Sequence, residues 1–280
     1  MPDHPQPWLG GHRLLREIGQ GANGSVHLAQ PAGDAPVVAL KLVRLPPAES
    51  RSGAIAQFED AVRAASGLHH PGIVRVFRHG VEGEWAWVTM EPVAGTDLSR
   101  YAHATRLLPE ALVLRIGARL AEALAYAHRQ GLVHRDVKPA NVLVNWATDE
   151  VKLADFGLAR DAWAANTGTG IVPGSPAYMA PEQLAGMVPG APADLYALGV
   201  TLFELLCGQR PHDAQNMGEL LRQVAQDSAP SLLQARPGLP AGVAELVARL
   251  LRKNAAERPA DGDAVASELR LLASSASPPV

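Results

Sequence analysis

Cysteine is almost absent: Cys207 is the single one in a chain of 280 residues. A disulfide framework and a cysteine-based metal centre within the chain are thereby excluded. Cys207 lies in the apolar stretch 202–207 and reads as a buried, inert thiol suited to a reducing compartment. Charge of one sign is also missing. Lys+Arg and Asp+Glu number 25 and 28, a net charge of −3 with no basic run or tail, so nothing biases the chain toward nucleic acid. Long hydrophobic runs are missing too. The longest, 195–207, contains Thr201 and Glu204 and is too short to span a bilayer. The first ten residues lack a basic segment followed by an apolar one, so no signal peptide is expected. A cytoplasmic protein, or the soluble domain of a longer one, is the expectation.

What is present is ample core material: 47% hydrophobic and 19% charged residues, in a length that suits one large domain or two packed lobes. The first third reads as short strands, at 14–18, 26–29, 37–42, 74–79 and 85–90, separated by Gly, Pro and Asn. One helical pattern interrupts them over 53–67, where Ile55, Phe58, Val62 and Ala65 recur at helical spacing. Past Gly95 the period changes. Helices are predicted at 110–130, stopped by Gly131, and at 192–208, 217–225, 241–251 and 260–272. The boundaries expected are therefore a β-rich lobe over 1–94, a helical lobe over 95–272 and a frayed tail over 273–280. A ligand site is expected in the cleft between two such lobes.

Gly19, Gly21 and Gly24 lie between two predicted strands in Gly-Gln-Gly-Ala-Asn-Gly-Ser-Val. Glycines let backbone N–H groups approach phosphate oxygens, although the same residues equally suit a bare hairpin turn. A Rossmann fingerprint would need a helix directly after them, and Val26-His27-Leu28 reads as a strand. A Walker A loop would end in Gly-Lys-Ser/Thr. Lys41 follows at the end of Val38-Ala39-Leu40. A lysine on an apolar strand calls for an anionic partner, the plain alternative being a surface lysine on an edge strand.

The stretch His134-Arg135-Asp136-Val137-Lys138-Pro139-Ala140-Asn141 is more specific. Transfer of a phosphoryl group needs a carboxylate to orient a hydroxyl and accept its proton, together with oxygen ligands for a divalent cation. Asp136 fits the first need and Asn141 part of the second, while Lys138 suits charge neutralisation on the transferred group. Asp155-Phe156-Gly157 then follows the apolar strand 151–154, and Ala180-Pro181-Glu182 closes the segment. A charged loop without chemistry remains the bland alternative for each stretch taken alone.

In this order and spacing the motifs resemble those of eukaryotic-type (Hanks-type) protein kinases, over roughly Trp8 to Leu272. The Ala-rich character is similar to that of bacterial members. The resemblance implies an α+β, bilobal fold: a small antiparallel-sheet N-lobe with one main helix and a larger helical C-lobe. It further implies ATP and Mg²⁺, with Mn²⁺ as an alternative, and serine/threonine proteins as substrates in signalling, since Lys138 follows Asp136 as in that class. Catalytic roles fall on Asp136, Lys138 and Lys41, and metal ligation on Asn141 and Asp155. The nucleotide would be held by Ile18, Gly19, Gly21, Gly24, Val26, Ala39, Lys41, Leu143, the Glu91 carbonyl and the Val93 amide. Met90 falls at the gatekeeper position. Regulatory roles fall on Thr167 and Thr169 as autophosphorylation sites, Arg135 (with Arg160) as the phosphate partner, and Ser175 in the substrate-docking segment. A homodimer would serve trans-autophosphorylation. Arg258 resembles the late arginine that pairs with Glu182.

One position departs from the family pattern. The glutamate that usually pairs with the strand lysine lies three residues after a Phe and seven before the Leu of an L-x-H-P-x-I-V stretch, here Leu68 to Val74. Both counts land on Ala61. Three accounts remain open at this point: Glu59 or Asp60 reaches Lys41 from an irregular helix, another anion such as Asp155 or the nucleotide holds it, or the domain is a pseudokinase scaffold with weak or no transfer. A small-molecule kinase of the same fold fits less well with a complete docking segment.

Overall fold

The computed structural model describes residues 8–21, 24–156 and 175–275. They fall into two compact units.

The first unit contains residues up to His70 and Val74–Ala94. Its sheet is antiparallel throughout, with β1 (Trp8–Leu9), β2 (His12–Gly21), β3 (Gly24–Pro31), β4 (Val38–Arg44), β5 (Val76–Glu82) and β6 (Trp85–Met90) in the order β1-β2-β3-β4-β6-β5. The strand period of two divides their side chains between faces. On one face Leu14, Ala29, Val38, Leu40 and Leu42 form a core cluster with Trp85 and Trp87 against it. Lys41 belongs to the other face, directly opposite Val26 on β3 and Val88 on β6, and Ala39 stands opposite Leu28 and Met90. Helix α1 (Ala48–Ser66) buries Ala54, Phe58, Val62 and Ala65. Phe58 meets the His79 ring edge-on at 6.2 Å, and His79 is the register partner of Val88, so α1 packs on the face that carries Lys41. The helix begins five residues before the predicted start at Gly53. Its first turn, Ala48 to Arg51, buries nothing, so no apolar period announces it; Pro47 sets the entry and Glu49 complements the helix N-terminus.

The second unit contains Pro71–Ile73 and Gly95–Phe156, and resumes at Ser175. Pro71–Ile73 join it through a hydrogen bond from Leu153 N to Gly72 O (2.8 Å) and a bridge between Ile73 and Leu153. Here β7 (Thr96–Asp97), β8 (Val142–Asn145) and β9 (Glu150–Leu153) make a second antiparallel sheet. The helices are α2 (Glu110–Arg129), α3 (Pro181–Leu184), α4 (Ala191–Cys207), α5 (Met217–Gln226), α6 (Leu232–Ala235), α7 (Ala241–Leu250) and α8 (Gly262–Ser275). Helix α4 is buried on nearly every side from Ala193 to Leu206, as expected of a helix that is apolar all round, and α2 and α7 pack against it. Helix α8 lies along α2 and continues through Ser275 with Ala273 buried, so residues 273–275 are helical where a frayed tail was expected. Among the described residues no helix is long and apolar enough to cross a membrane.

The β2–β3 hairpin shows which of its glycines the fold itself requires. A Cβ on Gly24 would lie 1.8 Å from the Leu42 carbonyl oxygen, because β3 and β4 approach closely there. A Cβ on Gly19 would meet only the Val26 side chain, at an ordinary 3.8 Å. Gly24→Ala is therefore expected to lower unfolding stability by about 1–3 kcal/mol, the usual cost of overpacking. Gly19→Ala should shift the denaturant midpoint by less than about 1 kcal/mol equivalent. Urea unfolding of the two variants beside the parent checks both.

Candidate functional site

The segment from His134 to Asn141 is held from below by one buried carboxylate. Asp194, in the first turn of α4, has no exposed surface. Its Oδ2 accepts hydrogen bonds from the His134 amide (2.8 Å) and from His128 Nε2 on α2 (2.7 Å). Its Oδ1 accepts from the Arg135 amide (2.7 Å). A charge at such a place is stable only when its lone pairs are met by donors in this way. His128 was not singled out in the sequence, and nothing in its local pattern marks it.

The loop is stiffened further by His134. Its Nε2 donates to Ala154 O (2.9 Å), its Nδ1 accepts from the Asp136 amide (3.2 Å), and the ring lies 4.4 Å from that of Phe156. The two bonds specify the neutral tautomer protonated at Nε2. Burial drives the imidazole pKa below its ordinary value, and the carboxylates of Asp194, Asp136 and Asp155 offset only part of that. Arg135 (φ 68°) and Asp155 (φ 67°) both adopt left-handed backbone, uncommon outside glycine and costly unless the surroundings enforce it.

Above this base, four of the proposed site residues meet. Lys138 Nζ donates to Asp136 Oδ2 (2.7 Å) and to Ser175 Oγ (2.9 Å). Asn141 Nδ2 donates to Asp136 O (2.7 Å) and to the same Oδ2 (3.0 Å). Asp136 Oδ1 makes no hydrogen bond among the described residues, so of the two carboxylate oxygens only Oδ2 is held by protein donors there. The Asn141 amide, having spent its nitrogen on Asp136, presents its oxygen elsewhere. The strand end carrying Asp155 is tied to the same residue by a bond from Ala154 N to Asn141 O (2.9 Å). Two oxygen donors, one charged, suit a hard divalent cation that completes its shell with phosphate and water. Among the described residues no cluster of three His, Cys, Asp or Glu side chains exists that could form an all-protein cage.

The segment after Ser175 is anchored by Arg258, whose side chain is fully buried. Nη1 and Nη2 reach Glu182 Oε1 (2.6 Å) and Oε2 (2.8 Å) as a bidentate pair. The remaining N–H groups go to the carbonyls of Pro192 (2.9 Å), Arg252 (2.8 Å) and Lys253 (3.1 Å), so every guanidinium donor is used. Burial raises the Glu182 pKa, but the hydrogen bonds and charge of Arg258 outweigh it and hold the carboxyl below its usual range. Tyr178 Oη donates to Glu204 Oε2 (2.5 Å), and burial raises the pKa of both groups.

In the sheet unit, Lys41 and Ala39 share the face described above with Val26, which is half-buried. Gly19 pairs with Val26, and Gly21 pairs with Gly24. Ile18 occupies the bulge before Gly19 and is 44% exposed. Met90 ends β6, and the Glu91 amide donates to Arg75 O (2.9 Å). Val93 is half-buried, and its amide makes no hydrogen bond among the described residues. Leu143 belongs to the other unit, on β8 opposite Lys152. At the family's glutamate position α1 is unbroken. Ala61 is half-buried beside Phe58 and Val62, whereas Asp60 is exposed and paired with Arg63 (2.9 Å). Thr167, Thr169 and Arg160 lie outside the described residues.

Two expectations follow from the buried groups. Arg258→Ala would leave Glu182 without its partner and cost about 3–5 kcal/mol, and Arg258→Lys should recover only part of that, since one ammonium cannot span both carboxylate oxygens; urea unfolding measures both. His134 is harder to protonate folded than unfolded, so the unfolded chain binds the extra proton first. Its contribution to stability is therefore complete above about pH 6.5, the unfolded value, and declines as pH falls below it. Unfolding midpoints from pH 7.5 to 5 should show that decline, with a shallower slope in His134→Phe.

A family model described as "Protein kinase domain" matches residues 12–269. The serine/threonine-protein kinase PrkC of Bacillus subtilis is 34% identical over 231 residues, which cover 82% of this chain and 35% of that protein. The serine/threonine-protein kinase PknJ of Mycobacterium tuberculosis is 37% identical over 236 residues, covering 82% of this chain and 40% of that protein. The chain thus spans between about a third and two fifths of the length of these curated relatives. The crystal structure of the Mycobacterium tuberculosis PknI kinase domain superposes with a TM-score of 0.77 at 31% identity, covering 96% of this chain and 99% of that one. The fold is accordingly the bilobal kinase fold, with an antiparallel-sheet unit and a helical unit. The chain belongs to the protein kinase family, as a kinase domain similar to those of bacterial serine/threonine kinases.

Proposed function

We propose that this chain transfers the γ-phosphoryl group of ATP to serine and threonine hydroxyls of proteins. The observation that carries the reading is the Asp136 carboxylate, with Oδ2 fixed by Lys138 and Asn141 and Oδ1 left to accept a proton. The substrate hydroxyl oxygen attacks the γ-phosphorus, its proton passes to Asp136, the bond between the γ-phosphorus and its bridging oxygen breaks, and ADP departs. Lys138 lies beside both Asp136 and Ser175, where it can neutralise charge on the transferred group while Ser175 helps define the bound hydroxyl.

Asn141 and Asp155 would hold Mg²⁺ or Mn²⁺, which supplies charge neutralisation across the phosphates when bound. Lys41, Gly19, Gly21 and Gly24 are assigned to the phosphates. The purine is assigned to Ile18, Val26, Ala39 and Leu143, with Glu91 and Val93 contributing backbone groups. Regulation is assigned to autophosphorylation of Thr167 or Thr169 by a second copy, with Arg135 receiving the phosphate, in a cytoplasmic setting. No observation favours a scaffold without transfer, a reading that rests on Ala61 alone.

Incubation with ATP labelled at the γ-phosphate, Mg²⁺ and a generic basic protein should give labelled phosphoserine or phosphothreonine. Asp136→Asn should lower the rate by about 10²-fold or more, within the range for losing a general base. Absence of label in the parent protein and the basic substrate, across both cations, would count against transfer.

A further inference from the structure

The β5–β6 ladder ends in an unusual way at the residues assigned to the adenine-binding edge. The last paired residues are Val76 and Met90, so Arg75 and Glu91 come next in register. Residues facing each other in a hydrogen-bonded antiparallel pair ordinarily exchange two backbone bonds. Only one of these is made between backbones here, from Glu91 N to Arg75 O (2.9 Å). The reciprocal donor, the Arg75 amide, goes to Glu91 Oε1 at 2.8 Å. The carboxylate has taken the place that the carbonyl of the same residue would occupy in the ladder.

We propose that the Glu91 side chain is a positioning residue for base recognition. By accepting the Arg75 amide it directs the Glu91 carbonyl out of the ladder and toward the exocyclic amine of adenine. The inference rests on the assignment of residues 91–93 to the adenine. Two features favour it over a simple strand cap. The bond is solvent-exposed, so its contribution to stability is small. The amide and the carboxylate of Glu91 are both bonded to Arg75, which holds this residue at two points, two residues before Val93, whose amide is assigned to the same base. A side chain without an acceptor at this place lets the Arg75 amide turn to the Glu91 carbonyl, lengthening the ladder by one pair and removing the acceptor from the base.

The test compares ATP with purine riboside triphosphate, which lacks the amino group at C6, in the parent, Glu91→Ala and Glu91→Gln. Glu91→Ala is expected to raise KM for ATP about 3- to 10-fold, the worth of one hydrogen bond. The KM for the analogue, which has no amino group to lose, should change by less than about twofold. Glu91→Gln retains an acceptor oxygen and should raise the KM for ATP less than Glu91→Ala does. The ratio of the two KM values within one protein is independent of the folded fraction, so a partly unfolded variant still gives an answer. Equal increases for ATP and the analogue would overturn the inference in favour of a strand cap, and unchanged values for both would overturn it outright. If the parent transfers nothing, dissociation constants for the two nucleotides replace KM and the same comparison applies. A parent that binds neither nucleotide removes the kinase reading itself, and the inference falls with it.

Discussion

The Asp194 carboxylate has no exposed surface and accepts three hydrogen bonds, from the amides of His134 and Arg135 and from His128. Isolated ionised carboxylates are not tolerated in such surroundings, so the bonds are a condition of the fold as well as a support for the loop. They account for the left-handed Arg135, whose backbone must turn its N–H toward α4. That turn sets where Asp136 emerges, and with it the positions of Lys138 and Asn141. The loop is thus tied to a helix that is buried on nearly every side.

A second layer follows the same logic with the opposite sign. Arg258 is a buried cation whose five N–H groups are all engaged, two of them by Glu182. Buried ion pairs of this type add little net stability over a packed apolar pair, but they are intolerant of losing one member. What the pair achieves here is register. It fixes the end of the segment beginning at Ser175 relative to α4 and the 252–258 turn, and Ser175 is the residue that Lys138 reaches from the loop 134–141.

Legibility in the sequence followed the distance over which each part is encoded. The loop from His134 to Asn141 is contiguous, and its offsets alone point to the chemistry. The long helices α2 and α4 carry apolar patterns strong enough to read, and Gly131, at φ 76°, ends the first of them. The first turn of α1 is not legible because none of its residues is buried, so it has no apolar period. The pairing of β7 with β8 was missed because two-residue strands have no period of their own and their partners lie more than 40 residues away. Arg258 and Glu182 are 76 residues apart and were paired only through the resemblance, not through any local signal. His128 and the Glu91 carboxylate could not be found in this way. Each does its work through a hydrogen bond to a partner that only the folded chain supplies.

The departure at Ala61 gains a physical frame from α1. The helix runs without a break from Ala48 to Ser66, and Asp60 is paired with Arg63 at the surface. A glutamate at that place would orient the lysine without itself touching a reacting atom. Part of that orienting task is carried by the strand. Lys41 sits on β4, which is paired on both sides, to β3 and β6, and its neighbours on the shared face are Val26 and Val88. Its backbone therefore has little freedom. The groups proposed to face the hydroxyl and the cation are encoded elsewhere, in Asp136, Asn141 and Asp155, and the loop that carries the first two is held by Asp194. On the proposed reading, an alanine at position 61 bears on Lys41 alone, since the loop carrying Asp136 and Asn141 is set by Asp194.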